Sequence, residues 1–116
     1  MLWLGAAPDK IPTRVMEVME DASNTLLFSV ASVWELAIKS ESGKLRITLD
    51  EMLAELKQQP FEILPVELRH IQGLKRLPDI HKDPFDRMLI AQAIVDDLEI
   101  VSVDEQFSKY GVRVLW

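Results

Sequence analysis

Residues 84–103 read PFDRMLIAQAIVDDLEIVSV, and this stretch decides the fold class. Its first part, Pro84 to Leu98, is the most apolar helical segment of the chain. Its last part, Glu99 to Val103, is a short run rich in branched apolar residues, which is typical of a buried strand. A helix that leads directly into such a strand indicates an α/β protein with a parallel sheet.

The same alternation continues on the N-terminal side of this stretch and returns at the end of the chain. Helices are predicted over Thr13 to Asp21, Ser32 to Ser40, Asp50 to Gln59 and Glu67 to Leu77, and strands over Asn24 to Val30, Phe61 to Val66 and Val112 to Trp116. Strands separated by helices imply right-handed crossovers and a mainly parallel sheet covered on both faces. We predict one domain over residues 1–116, folded as a three-layer α/β/α sandwich.

The composition excludes several classes of protein. The chain has 48% hydrophobic and 28% charged residues, as in an ordinary globular domain, and no cysteine, which excludes disulfides and thiolate zinc sites. No apolar run approaches the roughly 20 residues of a membrane span, and Met1 to Lys10 do not resemble a signal peptide, which favours a cytoplasmic location. The net charge of −6 argues against broad nonspecific binding to nucleic acid but is compatible with a carboxylate pocket for divalent cations.

Three carboxylates stand where a predicted strand and a predicted helix meet. Glu35 follows the strand that ends at Val30, Asp86 lies in the first turn of the Pro84 helix, and Asp104 follows the EIVSV strand, beside Ser102. Ligands of open parallel sheets bind beyond the carboxyl ends of the strands. Carboxylate oxygens are ligands that Mg²⁺ and Mn²⁺ prefer, so the three acids are candidates for a metal site.

Each acid also has a purely structural interpretation. Ser32 and Glu35 have the spacing of a capping box. Asp83 and Asp86 fit an N-cap followed by an acid that the helix dipole favours. Asp104 fits a cap for the short segment that follows it. Taken singly, each acid is therefore explained better by a structural role than by metal binding. The occurrence of three such acids, with Ser102 beside one of them, favours a functional site.

Two segments resemble the PIN-domain family, and in particular its VapC-type toxins. The first, HKDPFDRMLIAQAIVDDLEIVSVDEQFSKYGVRVLW (residues 81–116), is similar to the C-terminal half of those proteins, with PxDR, an AQA helix, a strand and Ser-x-Asp. The second, SVASVWELAIKSESGKL (residues 29–45), resembles the second family motif through its serine, glutamate and lysine. The resemblance covers nearly the whole chain.

The resemblance implies a PIN-like fold and cleavage of RNA phosphodiester bonds with Mg²⁺ or Mn²⁺. Glu35, Asp86 and Asp104 would hold the metal, and Ser102 would orient a water or a neighbouring carboxylate. Arg87 and Lys39 are candidates for contact with substrate phosphate. Each of these two cations also fits a surface ion pair, and Lys39 lies four residues after Glu35, at the spacing of a helical pair.

The sequence departs from the family at its beginning. Family members typically start with a strand that ends in an Asp-Thr-His-like motif, whereas Met1-Leu2-Trp3-Leu4 resembles the segment that follows that motif. The chain is thus N-terminally truncated relative to the family, and we expect the sheet to lack its central first strand and the site to lack one acid.

The resemblance leaves two functions open. The first is a toxin ribonuclease that is held by a cognate antitoxin and is often a homodimer. The alternative is a catalytically impaired PIN-domain copy that acts as a dimerisation or antitoxin-binding module. Among the other polar and aromatic residues, His70 and His81 are too few for a zinc site, and Trp34 is expected in the core or in an interface because it lies in an apolar stretch.

Overall fold

The described part of the chain is a parallel sheet whose strands alternate with helices. The computed structural model describes residues 2–3, 12–43, 48–58, 61–80, 82–102 and 105–116. In chain order the elements are β1 (Leu2–Trp3), α1 (Thr13–Glu20), β2 (Leu26–Ser29), α2 (Val30–Glu41), α3 (Leu49–Lys57), β3 (Phe61–Leu64), α4 (Leu68–Leu74), α5 (Pro84–Val95), β4 (Ile100–Val101), a 3-10 helix (Glu105–Tyr110) and β5 (Val114–Leu115). Every paired strand is parallel to its neighbour, which confirms the predicted α/β class.

The order of the strands across the sheet is β3-β2-β1-β4-β5, so β1 lies at its centre. Leu2 is in register with Leu27 of β2 on one side and with Ile100 of β4 on the other. The prediction that the sheet lacks its central strand is therefore wrong. An empty centre would leave the facing edges of β2 and β4 with unpaired backbone groups, and the short Leu2–Trp3 segment provides partners for them.

The limits of α5 follow from local chemistry at its two ends. The Asp83 carboxylate accepts hydrogen bonds from the backbone N–H groups of Phe85 (2.9 Å) and Asp86 (3.0 Å), and Pro84 occupies the first turn, where it loses no hydrogen bond. The helix ends at Val95, three residues before the predicted end. Asp97 has a left-handed backbone conformation with φ 53°, which terminates the helix.

The hydrophobic core lies between α5 and the sheet. Its fully buried members are Ala31, Leu64, Leu89, Ile90, Ala93, Ile100 and Phe107. Burial of a side chain such as Leu89 or Ile90 stabilises the fold by roughly 1.5–3 kcal/mol relative to exposure. No helix in the described ranges has both the length and the apolar character needed to cross a membrane.

Helices α4 and α5 approach each other closely. A Cβ atom at Gly73 of α4 would lie 2.9 Å from Cγ2 of Val95, so a larger residue at this position would force the helices apart. Three polar side chains also connect the two helices, and we call them the Asp96 cluster: Arg69, His70 and Asp96. Arg69 donates to both carboxylate oxygens of Asp96, from Nε at 3.0 Å and from Nη2 at 3.2 Å.

His70 is completely buried within the Asp96 cluster, and both of its ring nitrogens have partners. Nδ1 accepts from the backbone N–H of Glu67 at 2.9 Å, so the ring proton resides on Nε2, which donates to Asp96 Oδ2 at 2.8 Å. The hydrogen bond from Arg69, together with that from His70, holds the pKa of Asp96 below its usual value. The buried histidine therefore has a structural role between α4 and α5.

Candidate functional site

The helices that carry Glu35 and Asp86 begin at the same edge of the sheet. Helix α2 starts directly after β2, at the carboxyl end of that strand. Helix α5 ends just before β4 starts, so it runs back across the sheet and its first turn lies at the carboxyl edge. The rings of Trp34 and Phe85 meet edge to face with centroids 5.0 Å apart, which brings the two helices into contact next to the two acids.

Glu35 lies in a crowded negative region. Its side chain is only 25% exposed. Burial raises the pKa of Glu35, and the negative charges of Asp83 and Asp86 raise it further, while Lys39 counteracts this with its ammonium group 3.8 Å from the Glu35 carboxylate. Glu35 and Asp86 are thus close enough for their charges to repel each other in the folded chain.

The capping interpretation of Glu35 is wrong. The N-cap of α2 is Ser29, whose hydroxyl oxygen accepts from the backbone N–H of Ala31 at 3.0 Å, whereas Ser32 lies inside the first turn and is buried. Glu35 is therefore too far along α2 to complete a capping box. The capping interpretation of Asp83 is confirmed, and it leaves the Asp86 carboxylate as an acid of the first helical turn. Helix capping thus explains Asp83 but not Glu35.

Ser102 lies at the same edge of the sheet. It directly follows β4, is 8% exposed, and its backbone N–H donates to the carbonyl oxygen of Leu115 at 3.2 Å. Asp104 lies outside the described residues, so its place beside Glu35 and Asp86 stays a prediction. Among the residues that the structure describes, no group of three or more histidine, cysteine, aspartate or glutamate side chains has the geometry of a metal site.

The two candidate phosphate-binding cations have intramolecular partners. Arg87 donates from Nη1 to the carbonyl oxygen of Pro78 at 3.0 Å and to the hydroxyl of Tyr110 at 3.5 Å. It thereby ties α5 to the segment before it and to the 3-10 helix. Lys39 is 46% exposed and pairs with Glu35. The ion pair predicted for Lys39 is present, and contact of either cation with substrate stays a prediction.

Sequence reasoning missed a pair of buried polar residues that joins the two helices. Ser29 Oγ donates to Gln92 Oε1 at 2.6 Å, and both side chains are fully buried. A signal for this pair was present, because Gln92 is a polar residue in the middle of the apolar run LIAQAIV. Buried polar side chains in such a run almost always have a hydrogen-bond partner.

Trp34 is 63% exposed, so it does not fill the core, and of its two predicted places an interface is left. Val30 and Ile38, which lie four residues to either side on α2, are also exposed, at 39% and 44%. Residues four apart lie on one face of a helix. The three side chains therefore form an exposed apolar stripe, which we call the α2 stripe.

The donor chemistry of the acid pair fits a hard divalent cation. Glu35 and Asp86 offer oxygen ligands of the type that Mg²⁺ and Mn²⁺ prefer. The repulsion that raises the pKa of Glu35 would be relieved by a positive charge placed between the carboxylates. The two acids alone are too few to form a complete coordination shell, so further oxygen ligands or waters are required.

Comparisons with known proteins agree with this picture. The sequence profile of the PIN domain matches residues 1–113. None of the curated proteins matches the chain. Among solved structures, the crystal structure of VapBC2 from Rickettsia felis bound to a DNA fragment from their promoter contains a chain with a similar fold. The match has a TM-score of 0.71 and 13% sequence identity, and it covers 99% of this chain and 98% of that one.

Proposed function

Because the chain belongs to the PIN-domain family, we propose that it is a metal-dependent ribonuclease and the toxin of a type II toxin–antitoxin pair. The observation that carries this proposal is the approach of Glu35 and Asp86 at the carboxyl edge of the sheet. The two acids lie on different helices, and burial of Glu35, together with the negative charges of Asp83 and Asp86, disfavours its ionised form in the folded chain. An arrangement that reduces stability in this way is typical of a functional site.

In this proposal Glu35, Asp86 and Asp104 hold Mg²⁺ or Mn²⁺. A divalent cation held by these acids would supply activation of a water and neutralisation of the negative charge that develops as the phosphodiester bond breaks. Ser102, which is buried at the same edge, orients a water or a neighbouring carboxylate. Lys39 and Arg87 contact the substrate phosphate, and this requires Lys39 to exchange Glu35 for the phosphate as its partner.

We further propose that the α2 stripe binds a cognate antitoxin protein. Val30, Trp34 and Ile38 present a row of exposed apolar side chains at the spacing that an amphipathic partner helix recognises. The stripe lies next to Glu35, so a partner bound there would also block access to the acids. The proposal includes a homodimer that acts in the cytoplasm, and exposed Leu68 and Ile71 on α4 are candidates for the self-association.

A second candidate function is a catalytically impaired PIN-domain copy that acts as a dimerisation or antitoxin-binding module. It is favoured by the residues that follow β1 in the sequence, Leu4 and Gly5, because neither carries the carboxylate that the family typically has there. The α2 stripe serves this function equally well, since binding of a partner does not require the acids.

RNA cleavage distinguishes the two functions. We expect the chain to degrade a mixed-sequence RNA when Mn²⁺ is present and to stop when the cation is chelated. Asp86→Asn should lower the rate by roughly 100-fold or more because a charged ligand is lost from the site. The matched control is Asp79→Asn, which removes an exposed acid outside the pair and should leave the rate unchanged.

Equal activity of the wild type and Asp86→Asn would overturn the proposed mechanism. If none of the three proteins cleaves RNA and all three form stable dimers in analytical ultracentrifugation, the module is the better description.

A further inference from the structure

Ser29 and Gln92 form a hydrogen-bonded pair inside an apolar core, which we call the joint, and each side chain has further hydrogen-bond partners. Ser29 Oγ donates to Gln92 Oε1 (2.6 Å) and accepts from the backbone N–H of Ala31 (3.0 Å). The amide nitrogen of Gln92 donates to the carbonyl oxygen of Pro65, after β3, at 3.2 Å. Ser29 and Gln92 are both completely shielded from solvent.

Stability alone does not account for such a joint. A buried hydroxyl and a buried amide lose their hydration, and apolar side chains of the same shape commonly give equal or greater stability. The residues of α5 from Leu89 to Ala93 are all buried and all apolar except Gln92, so an apolar side chain at position 92 would join the same core. What a directional hydrogen bond adds is a defined relative position of the two elements that it joins.

The two elements joined are the helices that carry the acids. Ser29 is the N-cap of α2, and Glu35 follows it by six residues; Gln92 lies in α5, and Asp86 precedes it by six residues. Six residues of helix span about 9 Å, so each acid lies at about that distance from the joint along its own helix. A rotation of about 10° at the joint would move an acid by roughly 1.6 Å at this radius, which is large compared with the tolerance of a cation site.

We infer that Ser29 and Gln92 are positioning residues whose hydrogen bond sets the spacing between Glu35 and Asp86. The inference rests on the proposed function in one respect, namely that the two acids hold a divalent cation. The joint opposes the repulsion between the carboxylates, so its loss lets them move apart.

Gln92→Met tests the inference because methionine has a similar shape and cannot form the hydrogen bonds of the amide. The control is Ile90→Val, which removes one methylene group from a fully buried position of the same helix and leaves the joint intact. Two quantities are measured on each protein: the Mn²⁺ affinity by isothermal titration calorimetry, and the pKa of Glu35 by ¹³C NMR of its carboxyl group without metal.

We expect Gln92→Met to weaken Mn²⁺ binding by about tenfold, as the loss of an orienting partner does in other metal sites. The pKa of Glu35 should fall towards its ordinary value because the acids separate. Ser29→Ala should act in the same direction, and the Ser29→Ala/Gln92→Met double variant should be no weaker than the more affected single variant, since both remove one shared bond. Ile90→Val should change neither quantity.

Gln92→Met and Ser29→Ala proteins that match Ile90→Val in both Mn²⁺ affinity and Glu35 pKa would overturn the inference. If Gln92→Met does not fold, Ser29→Ala carries the same comparison. A wild-type chain that binds no Mn²⁺ contradicts the proposed function instead, and the metal-free titration of Glu35 then still decides whether the joint sets the spacing of the acids.

Discussion

The acidic side chains near the two ends of α5 have opposite electrostatic surroundings. At the first turn, Asp86 lies near Glu35 and Asp83, and burial together with these like charges raises the pKa of Glu35. At the last turn, Asp96 accepts hydrogen bonds from Arg69 and His70, which lower its pKa. The dipole of α5 favours negative charge at its first turn and disfavours it near its last, so the lowered pKa of Asp96 comes from its hydrogen-bond donors and not from the helix.

The difference separates a charge that stabilises the folded chain from one that does not. Asp96 has a full set of donors, so its negative charge favours the folded chain. Glu35 is largely buried and lies near Asp83 and Asp86, and the single lysine at 3.8 Å does not offset this, so its charge disfavours the folded chain. The second arrangement needs a reason other than stability, and binding of a cation supplies one.

The largest expected effect on stability is at the Asp96 end. Asp96→Asn should lower the free energy of unfolding at pH 7 by about 2 kcal/mol, because an amide has one acceptor oxygen and its NH2 group would face a donor of Arg69 in either orientation. Asp97→Asn is the control: Asp97 is almost fully exposed, and asparagine accepts the same left-handed backbone conformation. Urea unfolding of both variants measures the difference.

The pH dependence checks the cause of that loss. The pKa of Asp96 is lowered on folding, so its contribution is present above the ordinary value of 3.8 and is lost as the pH falls through the lowered value. The wild type and Asp96→Asn should therefore converge in strong acid. A gap between them that stays constant down to the lowest pH would contradict the electrostatic explanation.

A smaller effect on stability is expected when Mn²⁺ binds to Glu35 and Asp86, near the first turn of α5. Mn²⁺ at ten times its dissociation constant should raise the free energy of unfolding by about 1.4 kcal/mol, because it binds only the folded chain. The Glu35→Gln/Asp86→Asn double variant should show no such gain. Thermal unfolding with and without Mn²⁺ measures it, and equal stabilisation of the wild type and the double variant would place the cation elsewhere.

The smallest expected effect has the opposite sign to that of Asp96→Asn. Since the pKa of Glu35 is raised on folding, wild-type stability falls as the pH rises from 4.5 through the raised value. Glu35→Gln should lack this fall and should be more stable than the wild type at pH 7 by a few tenths of a kcal/mol, after allowance for partial exposure and for the lost Lys39 pair. Lys39→Gln loses the pair but keeps the repulsion, so it should be less stable than the wild type. A loss of stability in Glu35→Gln at pH 7 would show that Lys39 outweighs the two aspartates.

The comparison also shows which features can be predicted from residues that are close together in sequence. Asp83 and Pro84 identify the start of α5 because an N-cap acts within three residues. Ser29 and Ser32 are both plausible caps for α2, and the Glu35 spacing favours Ser32 wrongly. Ser29 is the cap in the structure, and its hydroxyl also donates to Gln92, which lies 63 residues away in sequence.

The position of Glu35 at the carboxyl edge was predictable, since a helix that follows a parallel strand starts at that edge. The sequence alone did not establish that Asp86 lies at the same edge, because α5 is preceded by another helix and not by a strand. The opposite pKa shifts of Glu35 and Asp96 were not predictable, because they depend on which side chains of other helices lie beside each acid. His70 reaches Asp96 from 26 positions earlier in the chain, and no pattern near either residue indicates the contact. The central strand was mispredicted for the same reason: its pairing with β2 and β4 depends on both neighbouring edges and not on the Leu-Trp dipeptide itself.

The position of β1 in the sheet has a consequence for synthesis of the protein. Leu2 pairs with Ile100, so one side of the central strand finds its neighbour only after residue 100 has left the ribosome. Contacts of such long sequence separation also slow folding. A nascent chain that has not yet exposed β4 therefore lacks the complete sheet edge at which Glu35 and Asp86 lie.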